Sequence, residues 1–317
     1  MKTKLKNAAT ACLVSLAASA GAATIQMPPG CTTPDGMAVD PQGRLVIAAP
    51  NTKHDKPGAF YRIEKPGAEP VKWFEVPALE ESGYSQPMGV CFGEKGEMYV
   101  CDCQKAGLGR ILCVKIENDR PVSFETVAEG LANANGVKYL NGRLYVTQAF
   151  MPSVKRGDGA ASSGLYMFNA TDRNVRPGNT PADPQCVFSD VTRNKKIRGG
   201  LNGVAIDSKG AVYTGNYGDG HVWKLTLGAD GRVAKSEVFV PASAGVKTPD
   251  GLCFDEKGNL YIADMFGDAA VRVTPAGKVE VVKKGGFKSP CEPCAWRGSL
   301  YVCNWRGTTV EQIPLGE

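Results

Sequence analysis

Histidine is almost missing from this chain: His54 and His221 are the only two in 317 residues. A metal cage or proton relay built from several imidazoles is therefore excluded. No GxSxG nucleophile elbow, HExxH or phosphate-cradling GxxxxGK[ST] occurs, and no strand–glycine loop–helix context for a dinucleotide is present. Helical periodicity is hard to find anywhere. After the N-terminus, no apolar run approaches the roughly 20 residues that span a bilayer. Excess charge is lacking too. The formal net charge is +5, and removal of Lys2, Lys4 and Lys6 would lower it to +2, so there is no electrostatic footprint for nucleic acid. With 43% hydrophobic and 22% charged residues the composition is globular, which excludes wholesale disorder.

What is present begins with an address. Met1 to Lys6 are basic, Ala8 to Ala20 small and apolar, and Ala18-Ser19-Ala20 or Ala20-Gly21-Ala22 offers a cleavage site. Residues 1–22 read as a bacterial-type signal peptide, which places the mature protein in a periplasm or outside the cell. Ten cysteines then remain: Cys31, Cys91, Cys101, Cys103, Cys113, Cys186, Cys253, Cys291, Cys294 and Cys303. An even number in an oxidising compartment permits disulfides, and Cys91/Cys101 and Cys103/Cys113 flank two candidate hairpins. Simply buried thiols are a second reading, and a metal or redox site at Cys101-Asp-Cys103 or Cys291-Glu-Pro-Cys294 a third, though one CxC and one CxxC lack a second pair at zinc spacing.

Self-comparison is more informative than any single motif. A glycine or small residue, an apolar run, a turn and a second strand recur six times, opening at Asp35-Gly36, Met88-Gly89, Asn135-Gly136, Asn202-Gly203, Asp250-Gly251 and Cys294-Ala295. The spacings are 53, 47, 67, 48 and 44 residues. Units of this length holding about four short strands are the signature of propeller blades. The predicted fold is all-β, one six-bladed β-propeller over residues 24–317. Gly- and Pro-rich insertions at Met151–Ser163 and Asn169–Asp183 account for the longest spacing. The last unit lacks an outer strand, and residues around Thr24–Met27 are expected to supply it and close the ring.

Innermost strands line a propeller's channel, so the residues opening them share one level: Asp35, Met88, Asn135, Asn202, Asp250 and Cys294. Two carboxylates and two amide carbonyls are hard donors with charge −2, which suits Ca²⁺ best, with Mg²⁺, Mn²⁺ and, less naturally, Zn²⁺ as alternatives. The competing reading takes each Asn-Gly or Asp-Gly as turn chemistry. With these residues in place, the chain resembles the six-bladed family of gluconolactonases, senescence marker protein, luciferin-regenerating enzyme and related lactonases. The resemblance implies a divalent metal held by Asp35, Asn135, Asn202 and Asp250, and Pro249-Asp250-Gly251 and Asn202-Gly203 fit most closely. Two departures stand out: Asp35 replaces the family's usual Glu, and Asn133 stands where an arginine contacts sugar lactones.

Strand direction puts the loop after each second strand beside the ring. Those loops bring Phe150, Tyr217, Phe266, Trp305 and Arg306 as candidate substrate contacts, aromatic walls with a charged group that suit a small organic or carboxylated molecule. The expected chemistry is metal-assisted hydrolysis of a lactone or ester, the cation polarising the carbonyl for attack by water. Asp250 is the first candidate for the base and His54 the second, while His221 reads as a structural strand residue. The alternative is a non-catalytic propeller that binds a ligand or protein around a structural calcium. No membrane anchor is expected, and oligomeric state is open.

Overall fold

The computed structural model describes residues 21–105 and 107–316; residues 1–20 of the expected leader lie outside them. Six four-stranded antiparallel sheets form the blades. Their innermost strands are Met37–Val39, Pro87–Phe92, Ala134–Leu140, Leu201–Ile206, Pro249–Phe254 and Pro290–Trp296. The one helical element among the described residues is a single 3₁₀ turn, Ala242–Ala244.

Each blade starts with a hairpin whose turn glycine needs a positive φ: Gly43, Gly96, Gly142, Gly210, Gly258 and Gly298 lie between 76° and 83°. Alternation along the strands then buries apolar residues on both faces, because each sheet packs on two neighbours. Val46, Phe60 and Phe74 of blade 1, for example, meet Val90, Met98 and Leu112 of blade 2.

The ring closes as expected. Ala23–Gln26 pairs antiparallel with Thr309–Pro314, completing blade 6 from the other end of the chain. Thr24 Oγ1 donates to the Glu311 carboxylate at 3.0 Å, and Gln26 Nε2 donates to the Thr308 carbonyl at 2.9 Å. The long spacing is an insertion within blade 3, not a missing blade. Its segment around Val175 folds back onto the outer strand of blade 2, where Asn174 N–H donates to the Thr126 carbonyl and Val175 N–H to that of Val127.

Among the described residues no disulfide is formed: the ten cysteines there are free thiols, nine buried and Cys253 half-buried. Register explains the hairpin candidates. Cys91 and Cys113 both face Tyr99 across the ladder, and Cys101 faces Ile111, so no two thiols are cross-strand partners.

Candidate functional site

The glycines beside the ring residues are not turn glycines: Gly36, Gly89, Gly136, Gly203 and Gly251 all lack a positive φ. They serve close approach. A Cβ on Gly203 would collide with the Asp250 carbonyl, and one on Gly251 with the backbone and carboxylate of Glu292. Six innermost strands can converge on one axis only where side chains are absent. A register shift accompanies them in blades 2 to 6, where one extra residue is inserted between, for instance, Pro249 opposite Asp264 and Leu252 opposite Ile262. Such a bulge re-aims the side chain it carries.

The register corrects the sixth ring position. Pro290 and Pro293 pair as Pro249 and Leu252 do, so Cys291, not Cys294, is the counterpart of Asp250. Glu292 takes the glycine's place. The signal was in the sequence: a proline precedes the ring residue at Pro34, Pro87, Pro249 and Pro290. Cys294 belongs one layer down, level with Cys91, Lys138 and Cys253. Burial pushes the Cys91 and Cys294 thiols up to about 12, which makes them inert at neutral pH.

Charge is concentrated around the channel. Asp35 and Asp250 are only 8% and 9% exposed, and Glu292 approaches the Lys138 ammonium at 3.8 Å. Burial pushes the Asp35 carboxyl up to about 6, moderated by a hydrogen bond from the Cys291 thiol. Burial raises Asp250 well above the carboxylate range, and Asp35 and Glu292 repel it further. Glu292 rises to about 8 through burial, partly offset by Lys138. Three buried carboxylates against one ammonium leave two negative charges that only protons or a cation can neutralise.

Two of the four donor side chains are free. Asn202 Oδ1 is buried without a hydrogen-bond partner, and the Asp250 carboxylate has none among the described residues. Asn135 lines the same narrow channel as Asp35 and Glu292. No group of three or more His, Cys, Asp or Glu side chains converges as a metal cluster among the described residues, so an ion here would draw on the amide oxygens as well. Orphaned oxygens and uncompensated negative charge together fit a divalent cation.

A second polar ring, which sequence reasoning missed, stands at the ends of the second strands. Its members are Asn51, Asp102, Gln148, Asn216, Asp264 and Asn304, all buried. Asp102 accepts from Gln86 N–H and from Arg110, Gln148 from Ala132 N–H, and Asn304 from Lys288 N–H. Asp264 accepts from the N–H groups of Lys247, Thr248 and Gly267. These side chains clamp the loops leading into and out of the channel mouth.

The candidate wall residues fall in two groups. Tyr217, half-buried, donates its hydroxyl to Met265 Sδ at 2.9 Å, lies 5.9 Å from the Phe266 ring and feels the charges of Asp250 and Arg306. Phe266 is 49% exposed and Arg306 is exposed. Trp305 packs against the cores of both blades 2–3 and blades 6–1, and Phe150 lies 5.7 Å beneath the Arg198 guanidinium. His54 is different: exposed, at φ 58°, it stacks on Tyr84 with ring centroids 4.2 Å apart. His221 bonds Asp190 at 2.9 Å, alongside Trp223 and Asn216, in a structural network. Asn133 donates to Cys103 Sγ at 3.4 Å.

No curated protein matches the chain by sequence. Among solved structures, a luciferin-regenerating enzyme superposes with a TM-score of 0.60 at 14% identity, covering 93% of this chain and 95% of its own. A gluconolactonase from Xanthomonas campestris gives 0.61 at 13% identity, with 93% and 90% covered. A streptogramin B lyase gives 0.59 at 11% identity, with 93% and 98% covered. At such identities these likenesses concern the fold. The family model described as the SMP-30/gluconolactonase/LRE-like region matches residues 84–306, and the chain belongs to that family.

Proposed function

We propose that this protein is a metal-dependent hydrolase of lactones or esters. The observation that carries the reading is the ring itself: Asp35, Asn135, Asn202 and Asp250 at one level, with the Asn202 carbonyl and the Asp250 carboxylate left without partners. These four residues would hold the cation, and Ca²⁺ is the ion best matched to their oxygens. A bound cation supplies the positive charge that polarises a carbonyl and stabilises the oxyanion formed on attack.

The chain's own residues supply the rest. An Asp250 oxygen, raised in proton affinity by its surroundings, can take the proton of the attacking water. Tyr217, Phe266 and Trp305 form the apolar sides of the mouth and exclude bulk solvent from a small acyl group. His54 remains a second candidate base on a loop of the same face. Export through residues 1–22 is part of the proposal, and N-terminal sequencing of the mature protein tests it.

The functional test is hydrolysis of a lactone and aryl-ester panel by metal-stripped protein, with Ca²⁺, Mn²⁺, Mg²⁺ or Zn²⁺ restored. Metal-dependent turnover supports the reading. A melting temperature raised by metal without turnover would favour a binding propeller with a structural ion.

A further inference from the structure

The blade-3 insertion builds a wall as well as lengthening the blade. It leaves Asn169, the last residue of the third strand, at the end of the propeller away from the two polar rings, and crosses to the outer strand of blade 2. Ala170 N–H donates to the Gly142 carbonyl at 2.8 Å, Arg173 Nε reaches Glu125 at 2.6 Å, and Val175 bridges Ala128 in parallel. Between this strap and the first hairpins of blades 2 and 3 lies a cavity of about 300 Å³. That is room for a small organic molecule.

Three of its lining side chains meet at one place. Tyr99 of blade 2 and Tyr139 of blade 3 have ring centroids 6.0 Å apart and planes 14° from parallel. A Cβ on Gly93 would lie 3.0 Å from the Tyr99 ring, 3.1 Å from Glu97 Oε2 and 3.5 Å from the Tyr139 ring, so the carboxylate and both ring edges surround a single point. The lining cations are matched within the fold, Arg173 by Glu125 and Lys115 by Glu117 at 2.6 Å. Glu94 and Lys95, adjacent on the exposed turn, offset each other. Cys113, 6% exposed, adds no charge, because burial raises its thiol. Glu97 is left over. It is half-buried, and its carboxylate makes no ion pair and accepts no hydrogen bond among the described residues.

Tyrosine rings and an unpaired carboxylate attract the same partner. The ring quadrupole draws a cation to the aromatic face, and the carboxylate adds a full charge where water is partly excluded. A hard metal ion would need several oxygens, and one free carboxylate does not supply them. A weakly hydrated organic cation needs only the charge and the aromatic wall. We propose that this cavity binds an alkylammonium group, its positive charge held between Glu97 and the rings of Tyr99 and Tyr139. The site stands at the other end of the blades from the metal ring and does not depend on what that ring holds.

Calorimetric titration of the whole protein tests this with three probes: choline, n-butylammonium and 3,3-dimethyl-1-butanol, the uncharged isostere of choline. Wild type is compared with Glu97→Gln, Tyr139→Leu and Lys209→Gln, the last removing a charge from the matching hairpin of blade 4. At least one ammonium is expected to bind one-to-one and about 10-fold or more tighter than the isostere, the worth of a partly desolvated cation–π and ion-pair contact. Binding should weaken about 10-fold in Glu97→Gln, about 3–10-fold in Tyr139→Leu and with added salt, and stay unchanged in Lys209→Gln. Glu97→Gln keeps the size of the side chain, so its melting temperature should match wild type and its lost affinity report the charge; it decides the question if Tyr139→Leu does not fold. Tighter binding of butylammonium than of choline would assign the larger share to an N–H donated to Glu97, and the reverse order would assign it to the rings. An isostere bound as tightly as the ammonium probes, affinity unchanged in Glu97→Gln, or no binding of either ammonium would overturn the proposal.

Discussion

Two rings of polar side chains lie near the same end of this propeller, and they have opposite fates. Asn51, Asp102, Gln148, Asn216, Asp264 and Asn304, closing the second strands, spend their side-chain oxygens on neighbouring backbone and side chains, and Gln148 Nε2 is the one buried amide nitrogen of this ring left without a partner among the described residues. Among the residues opening the innermost strands, Asn202 keeps its buried carbonyl oxygen without a partner and the Asp250 carboxylate accepts no hydrogen bond among the described residues, while Asp35 accepts from the Cys291 thiol. Composition is nearly the same, so residue type does not separate structure from site. What separates them is whether the fold itself supplies the hydrogen bonds. A folded chain that leaves buried oxygens unpaired and buried carboxylates repelling one another has reserved them for something else.

Breaking one member of each ring should therefore give inverse results. Asp250→Asn is expected to lower metal-dependent turnover by about 10²–10⁴-fold, the range for a lost general base. Its metal-free melting temperature should match or exceed wild type, because a repelled buried carboxylate is gone. Asp264→Ala strands the N–H groups of Lys247, Thr248 and Gly267 and should cost roughly 2–4 kcal/mol in denaturant unfolding. Turnover per folded molecule should change far less than in Asp250→Asn.

The pH dependence sharpens the contrast further. Asp35 is raised from 3.8 to about 6 and Glu292 from 4.5 to about 8 in the folded state. A folded value above the unfolded one means that the native state holds its protons more tightly. That stability is complete below about pH 4 and is lost as pH rises through 6 to 8. Metal-free protein should lose a few kcal/mol across this window, and saturating divalent cation should flatten the slope. A flat metal-free profile would mean that the carboxylates are not in conflict.

The smallest effect belongs to closure. Deleting residues 21–26 removes four ladder partners at the edge of blade 6, Ala23 to Gln26, and exposes the outer face of Val310 and Glu311. A loss of about 1–3 kcal/mol is expected, read as a lowered melting temperature, with the ring's metal affinity nearly unchanged.

Much of the fold was legible because repetition averages out local ambiguity. Six copies of a strand–turn–strand unit with a glycine at a fixed place specify blades even where no copy is decisive. The closing strand followed from counting: the last unit was one strand short. The ring was legible in five blades for the same reason. It failed in the sixth, where Glu292 replaces the glycine that marked the register and the proline before it went unused as a landmark. The clamp ring was invisible because its members, two Asp, a Gln and three Asn, share no single residue type and act through backbone groups of distant loops. Lys138 and Glu292 could not be paired in advance, since they meet only across the channel from blades 3 and 6. The thiols show the same limit: of the cysteines spaced like hairpin partners, Cys101 sits two residues from the partner of Cys91, and Cys103 four residues from the partner of Cys113.

The account stands or falls on what occupies the unspent ring. Chelator-stripped protein titrated with Ca²⁺, Mn²⁺ and Zn²⁺ by calorimetry measures it directly, with Asp250→Asn and Asp264→Ala beside wild type. One ion per chain in wild type and in Asp264→Ala, with binding lost in Asp250→Asn, is the predicted result. No binding to wild type, or an unchanged site in Asp250→Asn, would contradict it.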